Sequence, residues 1–220
     1  LPLADDAILY NLEQADAAST WMRPELVELY RRHTVWDYSA RNSAVLRGRG
    51  IEPAALLPIG YVDALTRIAH AVEPDIDVLF VGSLNARRQA ILERMRSLGL
   101  RVHAAFGVYG AERDALIARA RLVLNVHYYE AKVLEMVRIA YLLANRCAVL
   151  SEYGADPGED AALDGAVAFA AYDDLPQRAA ALIADTGARA SLAERGFDWI
   201  RARPITDYLR PVLQGLLAQG

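Results

Sequence analysis

The sequence predicts an α/β protein built on a parallel β-sheet with helices on both faces. Short apolar runs alternate along the chain with helical patterns of about 10 to 15 residues, an arrangement typical of parallel sheets. The runs are apolar throughout, as expected of strands that are buried on both faces. Of the 220 residues, 54% are hydrophobic and 24% are charged, which supplies enough apolar surface for a core and argues against disorder.

Residues 1–70 are predicted to form a partial domain with three strands. Pro24 suits the first turn of a helix, and Ser39 is a residue type that caps a helix N-terminus. The predicted strands are 6–12, 34–38 and 54–58, and the predicted helices are 24–32 and 40–47. These elements are too few for a doubly wound domain, so we interpret the region as part of a Rossmann-like domain.

Residues 71–203 are predicted to form a complete parallel-sheet domain, and 204–220 a C-terminal helix. The first strand of this domain ends at Gly82, and Gly99 ends the helix that follows. The predicted strands are 78–81, 102–106, 122–126, 147–150 and 166–170. The predicted helices are 86–97, 111–120, 132–145, 173–184, 188–200 and 205–219.

The predicted helix 132–145 is the most informative element of the chain. It is apolar nearly all round from Val133 to Ala144, so we expect it to be packed on most of its sides. The charges in that stretch are Glu135 and Arg138, which are three residues apart and therefore share a face. Ligands of open α/β sheets bind beyond the carboxyl ends of the strands, where the first half of this helix lies. The pair is therefore the first candidate for a binding site.

Composition and charge exclude several classes of function. A net charge of -4 and a pI of about 5.6 leave no basic footprint for nucleic acid. Charges interrupt every apolar stretch before it could span a membrane, so peripheral contact is the membrane role left open. No His, Cys and Asp cluster has the spacing of metal ligands, so no metal is predicted. No signal-peptide pattern follows Leu1, and the single Cys147 is expected to be a buried residue in a reducing cytoplasm.

The turn after the first strand of the second domain is a candidate phosphate site. Gly82, followed by Ser83, would let the backbone approach an anion at the next helix N-terminus, although turns also need Gly for shape alone. Arg87 and Arg88 stand in the first turn of that helix, where cations are unfavourable unless an anion binds there. A solvated arginine pair is the alternative.

Glu135 and Arg138 allow two interpretations each. Glu135 could simply favour the helix dipole, or its apolar neighbours could require a partner such as a ligand. Arg138 could be that partner in a structural ion pair, or it could reach a phosphate.

The polar turn before this helix supplies weaker candidates. His127 and Tyr129 could face a ligand or be structural, and Glu130 is a carboxylate on the same loop. Tyr109 and Tyr153 follow neighbouring strands, where a flat ring could cover a nucleotide base.

The run FVGS, with the later segment FGVYGAERDALIARARLVLNVHYYEAKVLEMVRIAYLLANRCAVLSEYG, resembles the C-terminal, donor-binding domain of GT-B fold glycosyltransferases of group 1, the family 4-like enzymes. The resemblance covers roughly residues 75–200. It implies that Gly82 and Ser83 face the donor diphosphate, that Arg87 or Arg88 contacts phosphate, and that Glu135 binds the ribose. The family has a second glutamate eight positions before this one, where His127 stands here.

The resemblance implies a glycosyltransferase that moves a sugar from a nucleotide-diphosphate sugar, such as a UDP- or GDP-sugar, to a glycan, lipid or protein acceptor. No metal or other cofactor is implied. His127 and Glu130 are the expected catalytic residues beside the sugar, and Tyr109, Tyr129 and Arg138 are expected to complete the donor site. Two alternatives are a non-catalytic nucleotide- or partner-binding module and another Rossmann-like enzyme, such as an epimerase of nucleotide sugars. A dinucleotide enzyme is disfavoured, because no G-x-G-x-x-G motif follows a strand.

Overall fold

A computed structural model describes residues 3–15, 22–128 and 132–217 of the chain. This part of the chain divides into two compact units. The first unit comprises the described residues of 1–60 and 204–220, and the second comprises those of 61–203. No helix among the described residues is long and apolar enough to cross a membrane.

The first unit is built on a small parallel sheet. Its strands are β1 (Ile8–Asn11), β2 (Thr34–Asp37) and β3 (Ala55–Leu56), and its helices are α1 (Pro24–Arg32), α2 (Ala40–Gly48) and α9 (Ile205–Leu217). The three strands are hydrogen-bonded in the order β1-β2-β3. As predicted, Pro24 opens α1, and the Ser39 side chain caps α2 by accepting a hydrogen bond from the backbone N–H of Asn42.

The second unit is built on a five-stranded sheet. Its strands are β4 (Ile76–Val81), β5 (Val102–Ala105), β6 (Ala120–Asn125), β7 (Val149–Glu152) and β8 (Ala168–Ala170). Its α-helices are α3 (Ala86–Ser97), α4 (Gly110–Ala118), α5 (Met136–Ala144), α6 (Pro157–Ala162), α7 (Leu175–Ala184) and α8 (Thr186–Arg201). The strands lie in the order β5-β4-β6-β7-β8, and each described pairing is parallel.

Helices cover both faces of this larger sheet. Val78 and Phe80 of β4 belong to the main core cluster with residues of α3 and α7, and both are fully buried. Leu79, between them in sequence, is also fully buried but points to the opposite face, where α4 packs against β4. The prediction of an α/β fold with a parallel sheet and helices on both faces is confirmed.

The boundary between the units lies ten residues before the predicted one. Residues 61–70 group with the second unit. The backbone N–H of Tyr61 donates to the carbonyl of Arg203, and the hydroxyl of Thr66 donates 2.8 Å to the carbonyl of Ala144. The described part of 204–220, predicted as a separate segment, groups with the first unit.

Two predicted elements of the second unit differ from the structure. The predicted helix at 132–145 begins four residues later, at Met136. Lys132 has a left-handed φ of 45°, which a helix cannot contain, and Glu135 occupies the N-cap instead of the first turn. The short helix α6 was not predicted, although Asp156 before Pro157 is a recognised helix start.

Candidate functional site

The candidate site lies in the second unit, at the carboxyl ends of β4 and β6. β5 lies on one side of β4 and β6 lies on the other, so the direction of the chain reverses between β4 and β6. Because parallel crossovers are right-handed, the helices that follow these strands, α3 and α5, leave on opposite faces of the sheet. This is the topological switch point at which open α/β sheets bind ligands. The turn after β4 and the loop after β6 therefore form a crevice.

The turn after β4 requires glycine. Gly82 has a φ of +154°, which residues with a Cβ rarely adopt. A Cβ placed there would stand 3.3 Å from Cζ of Phe80, 3.4 Å from Nη1 of Arg88 and 3.6 Å from Nη2 of Arg138. The turn thus brings the backbone directly against two guanidinium groups. Asn85 then caps α3, accepting a hydrogen bond from the backbone N–H of Arg88 at 2.9 Å.

Arg88 is buried, and its guanidinium holds the crevice together. It is 3% exposed and donates to the carbonyls of Val126 and Ser83 at 2.8 and 2.9 Å. Its Nη2 also lies 3.2 Å from Oε1 of Glu135. Burial lowers the pKa of Arg88, and the charge of Glu135 opposes that shift. Arg88 therefore joins the turn after β4, the end of β6 and the start of α5.

Glu135 lies between two arginines at the N-terminus of α5. Its second oxygen pairs with Arg138, whose Nη1 also donates 3.1 Å to the side-chain oxygen of Asn125. Asn125 is fully buried at the end of β6 and donates to the Ser151 hydroxyl at 3.0 Å. The side chain of Arg138 is 32% exposed, whereas that of Glu135 is 16% exposed. Arg138 is thus the more accessible member of the pair.

A second ionic cluster surrounds Glu152, which ends β7. The carboxylate is 1% exposed, pairs with Arg87 through both oxygens and lies 3.1 Å from Nζ of Lys132. Burial alone would raise the pKa of Glu152, but the hydrogen bonds from Arg87 and Lys132 bring that pKa below its ordinary value. The guanidinium of Arg87 also stacks 4.0 Å from the ring of Tyr172. Arg87 is therefore held in place by a carboxylate and an aromatic ring.

His127 is buried beside these carboxylates. It is 2% exposed, and its Nε2 has no hydrogen-bond partner among the described residues. Its backbone N–H donates 3.3 Å to Glu152. Burial lowers the pKa of the ring, although the charges of Glu152 and Glu135 oppose that shift, so the neutral form is favoured.

The crevice carries a net positive charge. Among its described residues, Arg87, Arg88, Lys132 and Arg138 are cationic, whereas Glu135 and Glu152 are anionic. The N-termini of α3 and α5 also point there and add partial positive charge. The arrangement suits an anionic ligand better than a neutral one. Across the described residues, no group of three or more His, Cys, Asp and Glu side chains could hold a metal ion.

The predicted aromatic and loop residues differ in their exposure and in their contacts. Tyr109 is 76% exposed at the N-cap of α4, on the loop after β5, and its ring is open to solvent. Tyr153 stacks on Phe169, with ring centroids 5.5 Å apart, which occupies one face of its ring. Tyr129 and Glu130 lie outside the described residues.

The structure brings five of the ten predicted site residues together and adds others. Gly82, Ser83, Arg88, Glu135 and Arg138 form one connected cluster. That these residues bind a nucleotide-sugar donor stays a prediction. Sequence reasoning missed Asn125, Lys132 and Glu152. Asn125 and Glu152 are polar residues at the carboxyl ends of buried strands, which was the available signal, whereas the sequence held no sign of the left-handed turn at Lys132.

Comparison with solved structures identifies the fold. HepE from Anabaena, solved in complex with UDP and glucose, superimposes with a TM-score of 0.64 over 96% of this chain and 71% of that chain, at 14% sequence identity. TarM matches with a TM-score of 0.62 over 86% of this chain and 45% of its own, at 10% identity. Sucrose-phosphate synthase from Thermosynechococcus elongatus matches with a TM-score of 0.55 over 93% and 65%, at 16% identity.

Sequence comparison finds more limited relationships. No protein-family model matches the chain. Two uncharacterized proteins of Acanthamoeba polyphaga mimivirus are 28% identical over 128 residues and 27% identical over 191 residues, 55% and 79% of this chain. These matches span 40% and 25% of the viral proteins, so the chain corresponds to less than half of each relative. The structural likeness carries the conclusion: the chain has the GT-B fold, with a Rossmann-like parallel sheet.

Proposed function

We propose that the protein is a glycosyltransferase that binds a nucleotide-diphosphate sugar in the crevice of the second unit and transfers the sugar to an acceptor. The observation that carries the proposal is the contact of the Gly82 turn with Arg88 and Arg138 at the switch point of the sheet. If Gly82 only shaped the turn, there would be no reason for two guanidinium groups to lie within 3.6 Å of its missing Cβ. The fold shared with HepE, solved with UDP-glucose, supports this choice.

In the proposed complex, the diphosphate lies between the N-termini of α3 and α5. Arg138 is a cation available to it, because its side chain is 32% exposed and its Nη2 faces the Gly82 turn. Arg88 contributes positive charge from a buried position, in which its hydrogen bonds to backbone carbonyls hold it. Negative charge that develops on the leaving diphosphate would be stabilised by these fixed cations and helix dipoles without a metal.

Glu135 is the proposed ribose ligand. A carboxylate has about four acceptor positions, and the two arginines leave some of them free for hydroxyl donors. Its place between Arg88 and Arg138 fixes the orientation of the carboxylate before a ligand arrives. Arg138 pairs with Glu135, and in this proposal it also reaches the phosphate, so that both interpretations of Arg138 from the sequence would apply together.

The remaining assignments are proposals of finer detail. UDP- and GDP-sugars are the proposed donors, and the likeness to HepE favours UDP. Tyr109, whose ring is exposed beyond the carboxyl end of β5, is the residue proposed to cover the base. His127 and Glu130 are the proposed catalytic residues near the sugar. The proposed acceptor is a glycan, lipid or protein, and the proposed setting is glycan synthesis in the cytoplasm.

A second candidate function is nucleotide binding without transfer. The burial of His127 to 2% exposure favours it, because a catalytic side chain must reach the substrate. The ion pairs of Arg87 and Arg88 within the protein also suit a structural role.

The test is Glu135→Gln, compared with Glu93→Gln on the exposed side of α3. Affinity for UDP and GDP, and release of nucleotide from their sugar conjugates, would be measured for both variants and for the unaltered protein. We expect Glu135→Gln to weaken nucleotide binding about tenfold, since hydrogen bonds to a charged group contribute about 1.5–3 kcal/mol. Glu93→Gln should change nothing. Unchanged affinity in Glu135→Gln would refute the ribose assignment. Binding without turnover in the unaltered protein would favour the second candidate.

A further inference from the structure

A cavity of about 420 Å³ lies at the amino ends of β6 and β7, whereas the candidate site lies at the carboxyl ends of the strands of this sheet. It is formed by the segments that enter β6 and β7 and by the first turns of α8. Its polar lining residues include His70, Arg121, Arg146, Thr186 and Arg189. The remaining walls are mostly small or apolar side chains, such as Ala120 and Val72.

The cavity is basic. Of the described residues that line it, three are arginines and none is acidic. The carboxylates that neutralise two of these arginines stand outside the lining: Asp77 pairs with Arg121 at 3.2 Å, and Glu194 pairs with Arg146 at 3.3 Å. Asp77 is also shared with Arg101, which it binds more closely, at 2.8 Å. Arg121 is therefore only partly neutralised.

Arg189 is fixed in place by neutral partners. Its Nη1 donates to the carbonyls of Leu182 and Ile183 at 2.8 and 2.9 Å, and its Nη2 donates to the Thr186 hydroxyl at 3.3 Å. These carbonyls belong to the C-terminal turn of α7, so the side chain cannot turn away without losing them. Burial, together with the positive charge of Arg121, lowers the pKa of Arg189, although the charges of Asp77 and Asp185 oppose that shift. Two guanidinium groups that repel each other are thus held at one cavity.

Arg146 occupies a backbone position that favours glycine. It follows the C-cap of α5 with a left-handed φ of 51°, and the N–H groups of Arg146 and Cys147 close the helix end on the carbonyls of Leu143 and Leu142. A long side chain there is strained where glycine would not be. Its guanidinium lies 3.6 Å from the ring centroid of Phe197, which fixes the position of the charge. A functional role for that charge would account for an arginine at this position.

We propose that this cavity binds the phosphate group of a small phosphorylated molecule or free phosphate, on Arg121, Arg146 and Arg189. Guanidinium groups bind phosphate oxygens by paired, charge-assisted hydrogen bonds, and three of them suit a multiply charged anion. The hydroxyl of Thr186, in the first turn of α8, also lines the cavity. The small walls of Ala120 and Val72 leave room for an organic group beside the phosphate.

The test is a calorimetric titration with inorganic phosphate, pyrophosphate and ribose 5-phosphate, each at an ionic strength kept constant with chloride. Arg146→Gly and Arg121→Gln remove cavity charges, and Arg146→Gly also relieves the left-handed strain, so it should stay folded. Arg119→Gln is the matched control, because Arg119 pairs with Asp75 near the same edge of the sheet but does not line the cavity. Arg138→Gln removes a cation of the candidate donor site.

We expect a site whose phosphate affinity falls about tenfold in Arg146→Gly and in Arg121→Gln and is unchanged in Arg119→Gln and Arg138→Gln. Tighter binding of ribose 5-phosphate than of inorganic phosphate would identify a phosphorylated metabolite, and equal binding would identify free phosphate. The proposal fails if no binding exceeds that in chloride. It also fails if Arg138→Gln removes all binding, since the anions would then occupy only the donor crevice.

Discussion

Gly82 is the residue on which the geometry of the candidate site depends most. Its φ of +154° and the guanidinium groups around it leave no room for a side chain. Sequence reasoning identified this glycine from its place after a strand, but could not separate a need for shape from a need for close approach. The structure shows a φ that favours glycine and two guanidinium groups beside the missing Cβ, whereas the approach of an anion stays a prediction. Arg88, Glu135 and Arg138 are likewise recognisable as charges in the sequence, whereas the pairing of Glu135 with Arg88 is visible only in three dimensions.

Gly82→Ala is expected to lower stability and to abolish tight nucleotide binding. The added Cβ would be strained by the backbone and would press on Phe80 and Arg88, and together these effects should cost about 1–3 kcal/mol. Urea unfolding and nucleotide titration would measure the two effects. Gly99→Ala is the control, because Gly99 also has a positive φ, +82°, but nothing lies within 4 Å of its missing Cβ. Equal losses in both variants would mean that the contacts around Gly82 are unimportant.

His127 should make stability depend on pH in the mildly acidic range. Burial lowers its pKa below the ordinary value of 6.5, so the unfolded chain binds a proton before the folded protein does. Stability is then complete above about pH 6.5 and is lost as the pH falls towards the folded-state pKa. His127→Gln should show a flatter dependence of the unfolding free energy between about pH 7.5 and about pH 5.5.

The control for this titration is the substitution of an exposed histidine, His103→Gln on β5. Identical slopes for His127→Gln and the unaltered protein would contradict the burial argument. Glu152 affects stability in a separate pH range. Because its pKa is lowered in the folded protein, its contribution to the free energy of unfolding is lost as the pH falls below the ordinary pKa of 4.5.

The helix α5 illustrates what a sequence pattern can and cannot predict about an element. The apolar run predicted a helix packed on most of its sides, and Ile139, Ala140, Leu142, Leu143 and Ala144 are all buried. The start of the helix was placed too early, because propensity alone does not reveal the left-handed turn at Lys132. That turn moves Glu135 to the N-cap, from which its carboxylate contacts Arg88 on α3. The geometry of the site therefore depends on where α5 begins, and the apolar pattern does not specify that residue.

Gly196→Ala tests the close packing of α8 against α5. A Cβ at Gly196 would stand 2.7 Å from Cδ2 of Leu143 and 3.0 Å from the carbonyl oxygen of Ala166. Because the carbonyl cannot yield without moving backbone, we expect a loss of about 1–3 kcal/mol in the unfolding free energy. Gly187→Ala, in the first turn of the same helix, meets only an ordinary contact at 3.5 Å and should be neutral or stabilising. Equal stability of the two variants would show that α8 shifts away from α5 freely.

At the scale of the whole molecule, the alternation of strands and helices was sufficient to predict the architecture. Each of the eight predicted strands corresponds to a strand in the structure, and the parallel order follows from the connections between them. What the sequence could not supply is long-range pairing. Arg87 and Glu152 are 65 residues apart, and the pattern of neither segment reveals the other. Local periodicity reports which face is buried, whereas ion pairs depend on strand order and on turn geometry.

The most direct test of the donor site is a thermal-shift series with UDP, GDP, CMP and ADP, run on the unaltered protein and on Arg138→Gln. A nucleotide that binds only the folded state must raise the melting temperature by mass action. At a free nucleotide concentration one hundred times Kd, binding adds about 2.7 kcal/mol to the free energy of unfolding. We predict a saturable rise with one nucleoside diphosphate, UDP before the others, and a much smaller rise in Arg138→Gln. No rise with any nucleotide on folded protein, or an equal rise in both proteins, would contradict the assignment of this crevice to a nucleotide-sugar donor.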